Sequence, residues 1–374
     1  MVLDKHYAQI GIRSHGKGLF HKESVTGEEL GNKAVYWVEP DCFVLNIVFA
    51  WEQAIGKTTS AEAGMIASHR FPMYRPKDNL VDIDYLISFF MTKKGKDILE
   101  AASPGGAGRN RTLGQERFLN SVIVLPPIAE QRKIAEILSA QDRAIELKTK
   151  LLEEKKRLKK HLCQVLLSGR MRFPECNEPW RKTRVGSILQ EKSKTCGDRT
   201  LSVYSVSVDC GVVDQIKHLG RSYAARDISK YTVVEEGDVV YTKSPTGMFP
   251  FGIIKQSQMV EPGVVSPLYA VYKPSSADAG YLLHTYFSYS INTKNYLRSL
   301  IQRGPKNTMS ISNEDFIMKS MIFPVDLNEV ARLADLFKQI DREIRTMADT
   351  IEQEKLKKKA MMQQLLTGKV RVSV

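Results

Sequence analysis

One stretch of this chain occurs twice, and it limits what the rest can fold into. The first copy opens Pro126-Pro127-Ile128-Ala129-Glu130-Gln131-Arg132-Lys133-Ile134 and runs without Pro or Gly to Leu166-Leu167-Ser168-Gly169-Arg170; the second runs from Pro324 to Leu365-Leu366-Thr367-Gly368-Lys369. An offset of 199 residues lays Gly169 on Gly368 and also pairs Asp142 with Asp341, Arg143 with Arg342, Lys156 with Lys355, Gln164 with Gln363 and Arg172 with Arg371. Pro127 fits a first helical turn, where its missing N–H costs nothing, and Glu130 suits the positive end of a helix dipole. Gly169 and Gly368, each followed by a cation, mark the ends.

Apolar residues of the second copy fall at alternating steps of three and four: Val330, Leu333, Phe337, Ile340, Ile344, Met347, Ile351, then Met361 and Leu365. That is a heptad seam. Glu354 and Lys358 interrupt it, as do Gln141, Lys148, Lys155 and Lys159 in the first copy; polar interruptions of this kind fix register and partner at some cost in stability. Roughly forty residues make a rod of about 60 Å, which cannot bury its seam alone. The nearest partner is the other copy. Periodicity by itself fits a generic helical hairpin or coiled-coil dimer equally well.

A chain of 374 residues fits two or three domains. Its most apolar run, residues 42–51, is too short to span a bilayer and carries Asn46, and the start lacks a basic and then apolar leader, so we expect a cytoplasmic protein with no membrane partner. The five cysteines form no C-x-x-C pair and have no His at ligand spacing, which argues against disulfides and structural zinc. The formal net charge of +13 points toward polyanions, although ribosome-associated and membrane-surface proteins share it.

Residues 1–125 read as short strands at 35–38, 42–45 and 46–49, a helix at 83–90, a Gly-rich loop at 103–111 and a last strand at 122–125. Residues 126–172 form the first long helix and 173–179 a Pro-bracketed linker. Residues 180–323 repeat the mixed pattern, with strands at 201–206, 231–234, 238–241 and 268–272, a helix at 279–287, a basic loop at 303–307 and a strand at 317–323, before the second long helix, 324–374. Tyr36 with Tyr231, Tyr74 with Tyr272 and Phe118 with Phe316 sit at offsets of 195 to 198. The globular parts are therefore diverged copies too. The expected fold class is α+β: two globular domains connected by two long antiparallel, coiled-coil helices in a pseudo-twofold internal repeat.

The first rod start, with Leu125, Leu138, Asp142 and the ending Leu166-Leu167-Ser168-Gly169-Arg170, resembles the conserved regions of the DNA-specificity subunit of type I restriction-modification systems, as does the chain end at 365–369. Gly11-Ile12-Arg13-Ser14-His15-Gly16-Lys17-Gly18 resembles segments of that family's target-recognition domains. The resemblance spans essentially the whole chain. It implies a non-catalytic subunit in which each recognition domain reads half of a split site on double-stranded DNA while two antiparallel helices fix the separation. Its implied partners are methyltransferase subunits, which bind S-adenosylmethionine, and a restriction/translocase subunit using ATP and Mg; the chain itself is expected to hold no cofactor or metal. One departure stands out: about twenty residues, Trp180 to Arg199, precede the second domain's first strand, and nothing equivalent precedes Tyr7. The first domain is thus expected to lack an edge element or to begin upstream of Met1.

Base readout needs Arg for guanine and Asn or Gln for adenine, with Lys and backbone N–H groups holding phosphates. The Gly-bearing loops that combine such residues offer Arg13, Ser14, His15 and Lys17, then Lys57, Thr58, Arg70, Arg109, Asn110 and Arg111 in the first domain. In the second they offer Arg221, Arg226, Lys243, Ser244, Thr246, Arg303, Lys306 and Asn307. Each taken alone also reads as an ordinary surface residue, and the lysine runs at 155–160 and 355–359 read first as solvated helix faces. No catalytic set emerges. Gly56-Lys57-Thr58 lacks the glycine five places earlier, where Trp51 stands, and Gly105-Gly106-Ala107-Gly108 lacks the strand-then-helix setting of a dinucleotide loop. The competing readings are a coiled-coil adaptor with no DNA role and the recognition half of a fused nuclease-methylase.

Overall fold

The computed structural model describes residues 1–77, 80–105, 111–303 and 309–373, and of 303, 309 and 310 the backbone only. Arg109, Asn110, Lys306, Asn307 and the Arg303 side chain lie outside the described residues. The chain divides into two compact units, Met1–Lys150 with Asp349–Val374, and Leu151–Ala348.

In the first unit, β1 (His6–Ile12) and β2 (Leu19–Thr26) form a hairpin, followed by α1 (Gly27–Leu30), β3 (Val35–Trp37), β4 (Phe43–Leu45), β5 (Ile55–Lys57), β6 (Ile66–Ser68) and β7 (Met73–Tyr74). They make two sheets, ordered β2-β1-β6-β3 and β5-β4-β7, with β1 and β6 parallel. Then come α2 (Ile83–Phe90), α3 (Lys93–Ala101), α4 (Gln115–Leu119) and α5 (Ile128–Leu166). The α2 start is capped by Asp82, whose carboxylate accepts from the Tyr85 N–H at 2.9 Å, and its Tyr85, Phe89 and Phe90 are buried.

The second unit adds two strands at its front, β8 (Arg181–Arg184) and β9 (Leu189–Glu191). After them β10 (Ser202–Ser207), β11 (Gly211–Asp214), α6 (Gln215–Leu219), β12 (Thr232–Val234), β13 (Val239–Thr242), β14 (Ile253–Gln256), β15 (Gly263–Val265) and β16 (Tyr269–Pro274) repeat the earlier topology, as β11-β10-β15-β12 and β14-β13-β16-β9. The remaining elements are α7 (Ala277–Phe287), α8 (Ser290–Leu297), β17 (Gln302–Arg303), β18 (Met309–Ser310), α9 (Asn313–Met318), β19 (Ser320–Phe323) and α10 (Leu327–Leu365). Here β9 covers the outer edge of β16 and β8 pairs antiparallel with β19.

Three local expectations are corrected. Residues 46–49 are not a strand, because the Asn46 side chain accepts from the Val48 N–H at 3.1 Å and bends the chain into a turn. Residues 317–323 begin as the end of α9, whose start Ser312 caps through its hydroxyl at 2.9 Å, and only 320–323 are strand. Residues 122–125 belong to no strand; their backbone hydrogen-bonds to no other described residue.

Within each unit the two helical stretches run antiparallel. In the first, Gln141 and Lys148 donate to Glu354 at 2.7 and 2.5 Å, and Lys358 donates to Asp142 at 2.5 Å. In the second, Lys159 donates to Asp341 at 2.5 Å and Lys155 pairs with Glu343. The polar residues that interrupt the seam are therefore the ones that pair across it. Where the seam is apolar it joins a core: Ile134, Ala135 and Leu138 with Leu366 beneath α2 and α3, and, one repeat on, Leu333, Ala334 and Phe337 with Cys163, Leu166 and Leu167 beneath α7.

The ends are fastened alike. The buried Glu130 carboxylate accepts from Arg371 Nε at 2.8 Å and Nη2 at 2.7 Å; the buried Glu329 accepts from Arg172 Nε at 2.9 Å and Nη2 at 2.7 Å. Each pair joins the start of one helix to the tail of the other, with groups that the repeat puts in register.

Candidate nucleic-acid interface

In the first unit the candidate residues gather around the turn at 46–53. The β1–β2 hairpin reverses at His15, Gly16 and Gly18, all with φ between 61° and 68°, which lets its tip lie flat on that turn. The His15 N–H donates to Glu52 O at 2.7 Å, the Gly16 N–H to Gln53 O at 2.9 Å, and Ser14 Oγ to Glu52 Oε2 at 2.9 Å. Arg13 lies 4.7 Å over the Phe20 ring, and Lys17 is exposed. Arg111 enters from the loop before α4, its guanidinium 5.5 Å over the Trp51 ring. Arg70 is exposed, and its carbonyl accepts from the Ile47 N–H at 3.0 Å.

One turn thus holds the roots of His15, Arg70 and Arg111, and the hairpin tip that rests on it carries Arg13. Beside it lies a cavity of about 240 Å³ lined by Asn46, Glu52, Phe71 and Lys22. Asn46, Trp51 and Lys22 escaped the sequence reading; a turn that bonds three separate loops leaves no local signal, although Asn46 before an apolar run was a hint of a turn.

Two first-domain candidates do not join this cluster. Thr58 is fully buried, and its hydroxyl donates to Glu39 O at 2.6 Å while accepting from the Cys42 N–H at 3.0 Å, so it holds the β4–β5 hairpin and is withdrawn from the set. Lys57 donates to Asp84 of α2 at 2.8 Å. Burial pulls its pKa down, but the Asp84 hydrogen bond and charge outweigh that and raise it.

In the second unit the candidates fall into two groups. Lys243, Ser244 and Thr246 occupy the β13–β14 loop, closed by reciprocal Thr246–Phe249 backbone bonds at 3.0 and 2.8 Å. This loop shares a cavity of about 300 Å³ with the residues that flank β17 and β18, lined by Lys243, Pro245, Phe251, Ile301 and Ile311, so Lys243 stands beside the start of β17. Burial lowers the Lys243 pKa, partly offset by Glu191. Arg221 and Arg226 lie apart, after α6; Arg221 donates to Tyr223 Oη at 2.5 Å and stacks 4.6 Å over its ring. The β10–β11 turn, the counterpart of the basic tip at 13–18, reads Val208-Asp209-Cys210. The two domains keep one scaffold and differ where their loops are presented.

Among the described residues no group of three or more His, Cys, Asp or Glu could hold a metal ion. No described helix is long and apolar enough to cross a membrane.

Residues 39–157 match the family model described as the type I restriction modification DNA specificity domain. Along 99% of its length the chain is 22% identical to the type I restriction enzyme MjaVIII specificity subunit of Methanocaldococcus jannaschii, covering 86% of that protein. The fold is similar to the HsdS subunit from Thermoanaerobacter tengcongensis, at a TM-score of 0.53 and 16% identity over 98% of this chain and 92% of that one. It is also similar to a chain from a structure of type I restriction-modification complex assembly and conformational transition, at 0.56 and 16% over 97% and 92%. The specificity subunit from M. genitalium matches at 0.53 and 11% over 88% and 84%.

Proposed function

We infer that this chain, which belongs to the type I restriction-modification DNA specificity family, selects the DNA sequence on which such a complex acts, each globular domain reading one half of a bipartite target while the paired helices set the spacing. The observation that carries this reading is a repeated scaffold with unlike loops: the same sheets and helices present a basic Gly-rich hairpin tip at 13–18 in one domain and an acidic turn at 208–210 in the other. A coiled-coil adaptor has no use for that divergence.

The reading assigns base edges to the arginines. Arg13 and Arg111 are backed by aromatic rings, which leaves each planar fork pre-oriented for a guanine edge; Lys17, exposed at the Gly-rich tip, suits a phosphate. The chain supplies no reacting group in this scheme. Methyltransferase subunits binding S-adenosylmethionine would dock on the helices, where Leu151 and Leu158, seven residues apart, are exposed. A restriction/translocase subunit would bring ATP and Mg, and the assembly would work in the cytoplasm.

Footprinting of the chain with its modification subunit on a genomic library tests the proposal. We expect two short protected tracts at one fixed separation; a single tract, or protection that ignores sequence, overturns it.

A further inference from the structure

The cavity beside the turn at 46–53 has the make-up of a site for one flat, amino-bearing ring. Its volume, about 240 Å³, lies below the roughly 300–1,000 Å³ of pockets that take drug-sized ligands, so a single ring system suits it. Phe20, Phe49 and Phe71 give it aromatic walls. The Phe20 ring lies directly over Gly11, where a β-carbon would come within 2.3 Å of it, so a side chain at 11 would displace that wall. Arg13 backs the same ring at 4.7 Å, and the exposed Lys22 reaches 5.9 Å from the Phe71 ring, which puts a cation at the rim.

Two polar side chains complete the cavity. Asn46 is only 9% exposed; its Oδ1 accepts from the Val48 N–H at 3.1 Å, while its Nδ2 meets no partner among the described residues. An amide donor so deeply buried costs free energy until something accepts from it. Glu52 accepts from Ser14 Oγ at 2.9 Å through Oε2 and forms no ion pair with a described residue. A carboxylate repels phosphate and accepts readily from an amino group, as it does from cytosine N4. An exocyclic amine next to an accepting ring nitrogen, the edge that adenine and cytosine share, satisfies Glu52 and Asn46 together. A base within its duplex cannot reach them: groove readout needs projecting side chains, and Asn46 is recessed. Stacking on the phenylalanines is likewise open only to a base that has left its own stack.

Resting on the reading of this domain as a DNA reader, we propose that the cavity takes one extruded adenine or cytosine of the target. Its amino group lies on Glu52, its ring nitrogen on Asn46 Nδ2 and a flanking phosphate on Lys22. In the second domain the matching places are Thr242 and Tyr269, three residues on from Val239 opposite Tyr272 as Asn46 and Phe71 are from Phe43 opposite Tyr74. No amide stands there, so the effect belongs to one half-site.

The test uses the chain with its modification subunit and duplexes of the footprinted target in which each base in turn is replaced by an abasic site. At one position of one half-site, loss of the base opposite an adenine or cytosine should tighten binding about tenfold, because unpairing is no longer needed. Replacing the amine of that adenine or cytosine by hydrogen should abolish the gain. So should Asn46→Asp, which keeps the oxygen that Val48 uses and removes the donor, and Glu52→Gln, which keeps an acceptor for Ser14. Sequence-selective binding that no abasic position tightens overturns this inference and leaves the reading of DNA standing; binding without sequence selectivity removes both. Adenosine or cytidine that slows amide exchange at 46–53 at micromolar concentration, without DNA, also overturns it, since the ligand would then be a free nucleoside.

Discussion

Arg13 and Arg111 are held by aromatic rings, while Lys17 projects free of any ring at the same hairpin tip, and the two situations predict different losses. Arg111→Ala or Arg13→Ala should cost about 1–3 kcal/mol on one half-site and relax selectivity there, leaving the other half untouched. Lys17→Ala should weaken binding to all sequences alike and lower the slope of log K against log salt by about 1, as titrations between low and moderate salt would show. His284 gives a prediction independent of DNA. Its Nδ1 accepts from the Gln256 N–H at 3.1 Å, and burial, aided by Lys255 and Lys159, lowers its pKa to about 3. An unfolded chain binds that proton near pH 6.5. Stability should therefore be complete above about pH 6.5 and fall as pH drops below it, by up to about 1.4 kcal/mol per pH unit. Urea midpoints at pH 7.5 and 5.0 would register the loss, and His284→Gln should shrink it. Single residues were the hardest level to read from sequence: Lys57 and Thr58 stood among the candidate DNA contacts, but partners at Glu39, Cys42 and Asp84 claim them, and such partners are distant in the chain.

Elements were far more legible. The long helices announced themselves because a seam of threes and fours must be buried, and the residues that broke it, Gln141, Lys148, Lys159, Glu354 and Lys358, are those that pair across it. Residues 46–49 misled because Ile47, Val48 and Phe49 favour strands, whereas the Asn46 side chain decides the backbone first. The same contrast ranks mutations. Phe337 is wholly buried where α10 meets the second core, and Phe337→Ala should cost about 3–5 kcal/mol in denaturant melts. Asp142→Ala, which removes the exposed partner of Lys358, should cost less than about 1 kcal/mol.

For the whole molecule, the proposed spacing role makes a geometric prediction. Seven residues inserted into each helix, at matched points of the seam so that the pairing register survives, lengthen the rod by about 10.5 Å. The preferred gap between half-sites should grow by roughly three base pairs, which methylation mapping would detect. An insertion in one helix alone should instead break the seam and destabilise the chain. The overall organisation was plain from the 199-residue offset; the bases recognised were not, because they depend on how loops from separate strands converge on one turn.

The fastening of the helix ends has an evolutionary corollary. Glu130 grips Arg371 and Glu329 grips Arg172, so each clasp takes its acid from one repeat and its base from the other. Both repeats carry both groups. A crossover between two such genes within the repeated sequence would exchange a globular head yet return a product with both clasps whole, and new combinations of heads would arise with their fastenings already matched.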